Sequence, residues 1–314
     1  LLCGTLDLHK RLASQLAQFF RREAALLFPT GYQAQLGVIS ALAGPRDVVF
    51  SDRHNHASLV DGCRLAPARV RKYRHADMAD LERLLARTDP GNGKLIVTDG
   101  VFSMAGALAP LQDIVKLART YQAAVLLDDA HGLGVLGDTG RGTAERFAVE
   151  SEVDVIAGTF SKSLASAGGF VVGDEEVIHY LKHHARPCIF SASIPPASVA
   201  AALAALDIIE QEPDRRTRLR KNTCYTVDNL RALGYETGNS ETPIIPVILR
   251  ERMKTAVFAQ SLLEQGVFAN PIISPAVASG QELIRISFTA DHTKDQLDTV
   301  LGAFCSVGRD LGVI

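Results

Sequence analysis

Apolar positions in this chain follow two rhythms, which alternate through its first two-thirds. From Leu8 to Phe19 they recur at helical spacing with polar residues between, predicting an amphipathic helix. Short unbroken apolar runs then appear at 47–51, 94–98, 123–127, 153–157 and 169–172, and each predicts a strand. Helical stretches lie between them: Asp77 is a cap signal for a helix through Leu85, and Pro110 opens one that ends at Tyr121. Pro90-Gly91-Asn92-Gly93 marks a turn. Apolar strands separated by amphipathic helices imply a mostly parallel sheet covered on both faces. In such a sheet, ligands gather outside the carboxyl ends of the strands.

The rhythm changes in the last third. Pro195-Pro196 starts an alanine-rich helix that Pro213 and a basic cluster are expected to interrupt. A further helix, a Gly234 turn, and strands at Ile244–Leu249 and Leu283–Phe288 follow. The last helix opens at Thr293, where Gln296 completes a capping box. The expected division is a large domain over 1–214 and a smaller α+β domain over 215–314.

The 314 residues are 47% hydrophobic and 22% charged, with a net charge of -2 and a mean hydropathy of +0.10. This is globular composition, and it gives no reason to expect nucleic acid as a partner. The longest apolar stretch, Ala197 to Ile209, is broken by Asp207 and is too short to predict a transmembrane span. Cys3, Cys63, Cys188, Cys224 and Cys305 are scattered, form no CxxC pair, and suggest free thiols in the cytoplasm. No metal site is expected. The chain opens on Leu1-Leu2-Cys3-Gly4, without methionine or signal peptide, and reads as a fragment whose N-terminal segment is missing.

Candidate chemistry collects at the strand ends. His56, Ser103, Asp128, His131 and Lys162 each lie just beyond an apolar run. Lys162 sits among small and hydroxyl residues in Gly158-Thr159-Phe160-Ser161-Lys162-Ser163, ahead of Gly168-Gly169. A lysine and an aspartate delivered by neighbouring strands are what pyridoxal 5'-phosphate (PLP) requires. The amine holds the cofactor as a Schiff base, and the carboxylate keeps its pyridine nitrogen protonated. Strand alternation sends Asp128 and Asp129 in opposite directions, so only one of them can face the ring.

Five long motifs carry a resemblance to the α-oxoamine synthases, PLP enzymes of fold type I. They are Asp52-Arg53-His54-Asn55-His56-Ala57-Ser58, Asp99-Gly100-Val101-Phe102-Ser103-Met104, Asp128-Asp129-Ala130-His131-Gly132, Gly158-Thr159-Phe160-Ser161-Lys162 and Phe190-Ser191-Ala192-Ser193-Ile194-Pro195-Pro196. The likeness extends from Gly4 to the C-terminal helix. It implies a seven-stranded, mostly parallel sheet between helices, followed by a small α+β domain. It also implies a homodimer with its active site at the subunit interface, which condenses an amino acid with an acyl-CoA and releases carbon dioxide.

By the same resemblance, Lys162 is the Schiff-base lysine and Asp128 the partner of the pyridine nitrogen. His131 and Ser103 would contact the phenolic oxygen, and His56 would stack on the ring and help with the substrate carboxylate. Gly31, Tyr32, Thr159 and Ser161 would cradle the phosphate. Ser191 and Ser193 would reach the partner subunit's phosphate, and Arg285 would fork onto the substrate carboxylate. Gln35 departs from the family's asparagine, and Ala105 and Ala107 replace acidic residues. The lysine loop, Lys182-His183-His184-Ala185-Arg186 and Phe268-Ala269-Asn270-Pro271 most resemble the bacterial serine palmitoyltransferases. The alternatives are the 8-amino-7-oxononanoate synthases and the 2-amino-3-ketobutyrate CoA ligases. A catalytically inactive partner subunit would be expected to lack its lysine, and Lys162 is present. An aminotransferase of the same fold would consume an amino acid without a thioester. A nicotinamide-dependent dehydrogenase would need a GxGxxG turn after an early strand, and the sequence has none.

Overall fold

The computed structural model describes residues 4–314. The chain divides into two compact units, one running up to Val101 together with Ala109–Glu212, the other combining Phe102–Leu108 with Pro213–Ile314. The larger contains α1 (Asp7–Phe19), β1 (Ala24–Phe28), α2 (Gly31–Leu42), β2 (Val48–Asp52), α3 (Ala57–Leu65), β3 (Arg69–Tyr73), α4 (Met78–Ala86) and β4 (Lys94–Asp99). After the short strands β5 (Val101–Phe102) and β6 (Ala107–Leu108) come α5 (Leu111–Tyr121), β7 (Ala124–Asp128), a short α6 (Thr143–Arg146), β8 (Val155–Thr159) and β9 (Gly169–Gly173). α7 (Glu175–His184), α8 (Arg186–Ile189) and α9 (Pro196–Gln211) complete it.

The central sheet has seven strands in the order β1-β9-β8-β7-β4-β2-β3. β9 runs antiparallel to both neighbours, and all other pairings are parallel. Val97, Leu126, Ala157 and Val171 face a core closed by Val38 and Ile39 of α2, Leu59 of α3 and Leu181 of α7. Their strand neighbours Ile96, Val125, Leu127, Ile156 and Phe170 are equally buried. Successive side chains on a strand point to opposite faces, so both faces are covered. α5 shows how one crossover is set: Ile114, Val115 and Ala118 are buried, and Gln122 ends the helix in the left-handed region (φ 53°). Asp154 then accepts from the Val125 N–H at 2.7 Å, fixing the start of β7.

The second unit holds α10 (Asp214–Ala232), β10 (Ile244–Ile248), α11 (Arg252–Glu264), β11 (Asn270–Ile272), β12 (Leu283–Ser287) and α12 (Lys294–Asp310). Its antiparallel sheet has the order β10-β12-β11. Leu230, Ile245, Val247, Phe258, Leu262, Ile284 and Phe304 form its core. The excursion 102–108 belongs here because Gly106 offers its carbonyl to the Ser240 and Thr242 hydroxyls at 3.3 and 3.1 Å. Gly106 has φ +63°, and a Cβ there would meet the Ile244 carbonyl oxygen at 2.2 Å. The basic cluster at 215–221 does not interrupt a helix; it forms the first turns of α10. Pro213 alone makes the break, since it cannot donate into a continuing helix. Among the described residues, no helix is long and apolar enough to cross a membrane.

Candidate active site

Four strand ends of the larger unit deliver the chemistry. Asp99 closes β4 and Asp128 closes β7, side by side in the parallel register. β8 ends at Thr159 and leads into the loop carrying Ser161 and Lys162. β2 ends at Asp52, and His56 caps α3 just beyond it.

Asp128 is 6% exposed, and Asp129 is fully buried. Burial raises Asp128, while the Ala130 N–H at 3.1 Å, the Lys162 ammonium and His56 favour its ionised form. Burial raises Asp99 well above the usual carboxylate range, and the adjacent Asp128 pushes the same way. Lys162 is exposed, and its charge favours ionisation of both carboxylates.

Asp129 serves another purpose. Its carboxylate accepts from the Thr143 N–H and the Thr143 hydroxyl, both at 2.6 Å. Its own carbonyl receives the Gly132 and Leu133 N–H groups. This pins the turn that carries His131, which is half-buried and has an interaction partner of its own.

His56 presents an exposed ring at the head of α3. Its backbone N–H donates to Asp99 at 2.7 Å, and its Nδ1 accepts from the Ser58 N–H at 3.2 Å. The Asn55 side chain receives the Asp99 N–H and donates to the Val97 carbonyl, tying the loop to β4. Asp99 and Asn55 lie within two of the family-like motifs, but sequence reasoning assigns neither of them a role. The available signal was that Asp99 ends its strand as Asp128 ends the next.

The phosphate-cradle candidates converge on the start of α2. Thr30 caps this helix by accepting the Gln33 N–H. Gly31 is its first residue, and a Cβ there would lie 2.6 Å from Thr159 Cβ and 2.9 Å from its hydroxyl. Gly169, the register partner of Thr159, presses on the Gly31 backbone as well, so a Cβ at either glycine would close this approach. The Thr159 and Ser161 hydroxyls are 2.9 Å apart. The Gln33 amide donates to Ser191 at 3.1 Å, bringing Ser191 to the same helix start within one chain. Ser193 instead donates to the Gly4 carbonyl and lies 3.3 Å from His9 Nε2. Tyr32 is a surface residue whose hydroxyl donates to Asp61, which raises its pKa.

Ser103 and Arg285 belong to the second unit. Arg285 lies on β12, the central strand of its sheet, opposite Pro246 and Asn270. Its guanidinium is half-buried, its Nε has no hydrogen-bond partner, and burial lowers its pKa.

The larger unit's donor set fits PLP. Backbone amides at a helix N-terminus, with hydroxyls beside them, suit a phosphate dianion. A buried carboxylate within the field of a lysine suits a protonated pyridine paired with a covalent anchor. Among the described residues, no group of three or more histidine, cysteine or acidic side chains is arranged to hold a metal.

Comparison with known proteins agrees. The family model described as aminotransferase class I and II matches residues 1–304. A serine palmitoyltransferase of Sphingobacterium spiritivorum is 50% identical over 295 residues, spanning 94% of this chain and 74% of its own. An 8-amino-7-oxononanoate synthase of Symbiobacterium thermophilum is 48% identical over 312 residues, spanning 99% and 80%. A solved serine palmitoyltransferase of S. paucimobilis, with bound PLP–myriocin, shares a TM-score of 0.97 at 38% identity, covering 100% of this chain and 79% of that one. The chain therefore belongs to the aminotransferase class I and II family, with its fold-type I architecture and its PLP cofactor. Within that family it is an α-oxoamine synthase, a PLP-dependent acyltransferase.

Proposed function

We propose that this enzyme joins L-serine to a long-chain acyl-CoA, as a cytoplasmic homodimer. The observation that carries the substrate reading is the 50% identity to the S. spiritivorum serine palmitoyltransferase. Overall, the amino acid Cα bonds to the thioester carbonyl carbon, the C–S bond breaks to free CoA thiol, and the carboxylate departs as carbon dioxide. One proton is taken up at Cα.

Bound PLP supplies an electron sink for negative charge at Cα. Lys162 would anchor it, and its amine is the candidate base for the Cα proton; a positioned base contributes about 10²–10⁴-fold. Asp128 would hold a proton at the pyridine nitrogen. His56, whose backbone N–H is held by Asp99, would lie against the cofactor ring. His131 and Ser103 would hold the phenolic oxygen. The Gly31 and Tyr32 amides, with Thr159, Ser161 and Ser191, would hold the phosphate, while Ser193 donates to the Gly4 carbonyl. Arg285 would bind the substrate carboxylate.

Lys162→Ala is expected to abolish turnover while leaving the fold intact, because the side chain is exposed. Borohydride reduction of the wild-type holoenzyme should leave a mass adduct at Lys162, and its absence would remove the basis of the mechanism. Substrate choice is tested by thiol release across glycine, alanine and serine, each with short, dicarboxylic and long acyl-CoA. Release with serine and a long chain supports the proposal. Release with alanine and a dicarboxylic thioester supports the second reading, favoured by the 48% identity to the S. thermophilum 8-amino-7-oxononanoate synthase.

A further inference from the structure

Asp52 ends β2 and is 1% exposed, and the reaction gives its carboxylate no task. One oxygen accepts from the His54 N–H at 2.8 Å and from His75 Nδ1 at 3.0 Å; the other accepts from the Ala76 N–H at 2.9 Å. Burial works against ionisation here, but these donors still bring Asp52 below the usual carboxylate range. An ionised carboxylate only accepts, so Nδ1 of His75 carries a proton. The His54 ring stacks on the His75 ring, with centroids 4.1 Å and planes 19° apart.

The contact joins two loops. Asp52 pairs with Tyr73 in the parallel register, where β2 and β3 end together. His75 and Ala76 follow β3, while the bridge Arg53-His54-Asn55 follows β2 and leads to His56. Ala76 takes φ +51°, a conformation that costs an L side chain energy, and its N–H lands on Asp52. Every backbone N–H from the bridge to His56 is held. Arg53 donates to the Tyr73 carbonyl at 3.2 Å, His54 to the Asp52 carboxylate, Asn55 to the Asp52 carbonyl at 3.3 Å, and His56 to Asp99 at 2.7 Å. The acceptor for His54 is set from the neighbouring loop, because His75 and Ala76 fix the carboxylate that receives it. Packing does not account for the two rings: His54 is exposed and His75 half-buried, so neither fills the core.

We propose that His75 is a positioning residue for His56. Through the Asp52 carboxylate it fixes the three-residue bridge, and so the place at which His56 is presented to the cofactor ring. The inference rests on the reading of His56 given above.

The test is a double-mutant cycle on PLP affinity, measured by equilibrium dialysis of purified apoprotein. His75→Phe keeps a ring to stack on His54 and removes the donor. It is expected to weaken PLP binding about 10-fold, the lower end for a hydrogen bond to a charged group. In a His56→Ala background the same substitution should cost less than about 2-fold, because the residue it positions has gone. His75→Asn should recover most of the affinity, since its amide nitrogen takes the place of Nδ1. His75→Gln, whose amide reaches the place of Nε2, should not. Equal losses in both backgrounds would show that His75 supports the fold at large and would overturn the proposal. Wild-type affinity in His75→Phe, or an asparagine variant no better than glutamine, would also overturn it. Should His75→Phe fail to fold, His75→Gln takes its place in the cycle. Unchanged affinity in His56→Ala would remove the reading of His56 and this inference with it.

Discussion

Asp128 and Asp129 are chain neighbours with different work, and titration separates them. Asp128 shares its surroundings with Lys162, Asp99 and Gln35; Asp129 holds Thr143 and the turn that bears His131. Burial lifts Asp129 to about 7, against hydrogen bonds from Thr143 that pull it down. In the unfolded chain an aspartate titrates near ~3.9. Between those two values the folded protein holds a proton that the unfolded chain has released. Stability therefore falls as pH rises from about 4 to about 7 on account of this group. Asparagine at position 129 does not titrate and lacks that slope. Urea denaturation of Asp129→Asn beside wild type is expected to show the stability difference moving in the variant's favour between about pH 4 and 7. Asp128, whose charge raises Asp129, also feels the substitution, so the same comparison is made in an Asp128→Asn background. A flat difference would mean that Asp129 stays in one protonation state throughout.

At the level of elements, the start of α2 depends on a contact that only glycine allows. Gly31→Ala would drive a methyl into Thr159, 2.6 Å from its Cβ. Separating α2 from the lysine loop is expected to cost about 1–3 kcal/mol. A lower melting temperature and weaker PLP binding in dialysis would show it. Gly302→Ala on α12 is the contrast, since a Cβ there meets nothing within 4 Å. It should stabilise by up to about 1 kcal/mol through helix propensity. The apolar runs placed most of these elements to within two residues, but they stopped the site strands short. The apolar run 123–127 predicts a strand that the structure places at Ala124–Asp128 (β7), and the run 153–157 one that it places at Val155–Thr159 (β8). The ladder continues through polar residues at the carboxyl end, where Asp52, Asp99, Asp128 and Thr159 hold the last strand positions. Hydrophobic patterning fades where function begins. β3, with the sequence Arg-Val-Arg-Lys-Tyr, lies at one edge of the sheet and carries charge there, so it has no apolar run to announce it. Thr293 and Gln296 did announce α12, because a capping box is local chemistry. The 102–108 excursion and the burial of Gln35 depend on distant partners, and no local pattern records them.

For the whole molecule, the division into two units places the candidate cofactor contacts other than Ser103 apart from the candidate carboxylate contact Arg285. Lys162, Asp128, His56 and the helix start at Gly31 all belong to the larger unit, and Arg285 to the second. Cofactor retention and carboxylate recognition should then respond to different substitutions. Arg285 sits on a central strand where burial lowers its pKa, and among the described residues its buried Nε lacks a hydrogen-bond partner. An incoming carboxylate would supply it in bidentate geometry. Arg285→Ala is expected to leave PLP affinity at the wild-type value and to raise KM for the amino acid about 10- to 100-fold, the worth of a charged hydrogen-bonded pair. KM for the acyl-CoA should move far less. Arg285→Lys should recover little, because an ammonium lacks the planar fork. Steady-state kinetics with each substrate varied in turn, together with PLP dialysis, reads all of these quantities. An unchanged amino-acid KM in Arg285→Ala would show that the carboxylate is held elsewhere, and a fall in PLP affinity would show that cofactor and substrate recognition are not divided between the units in this way.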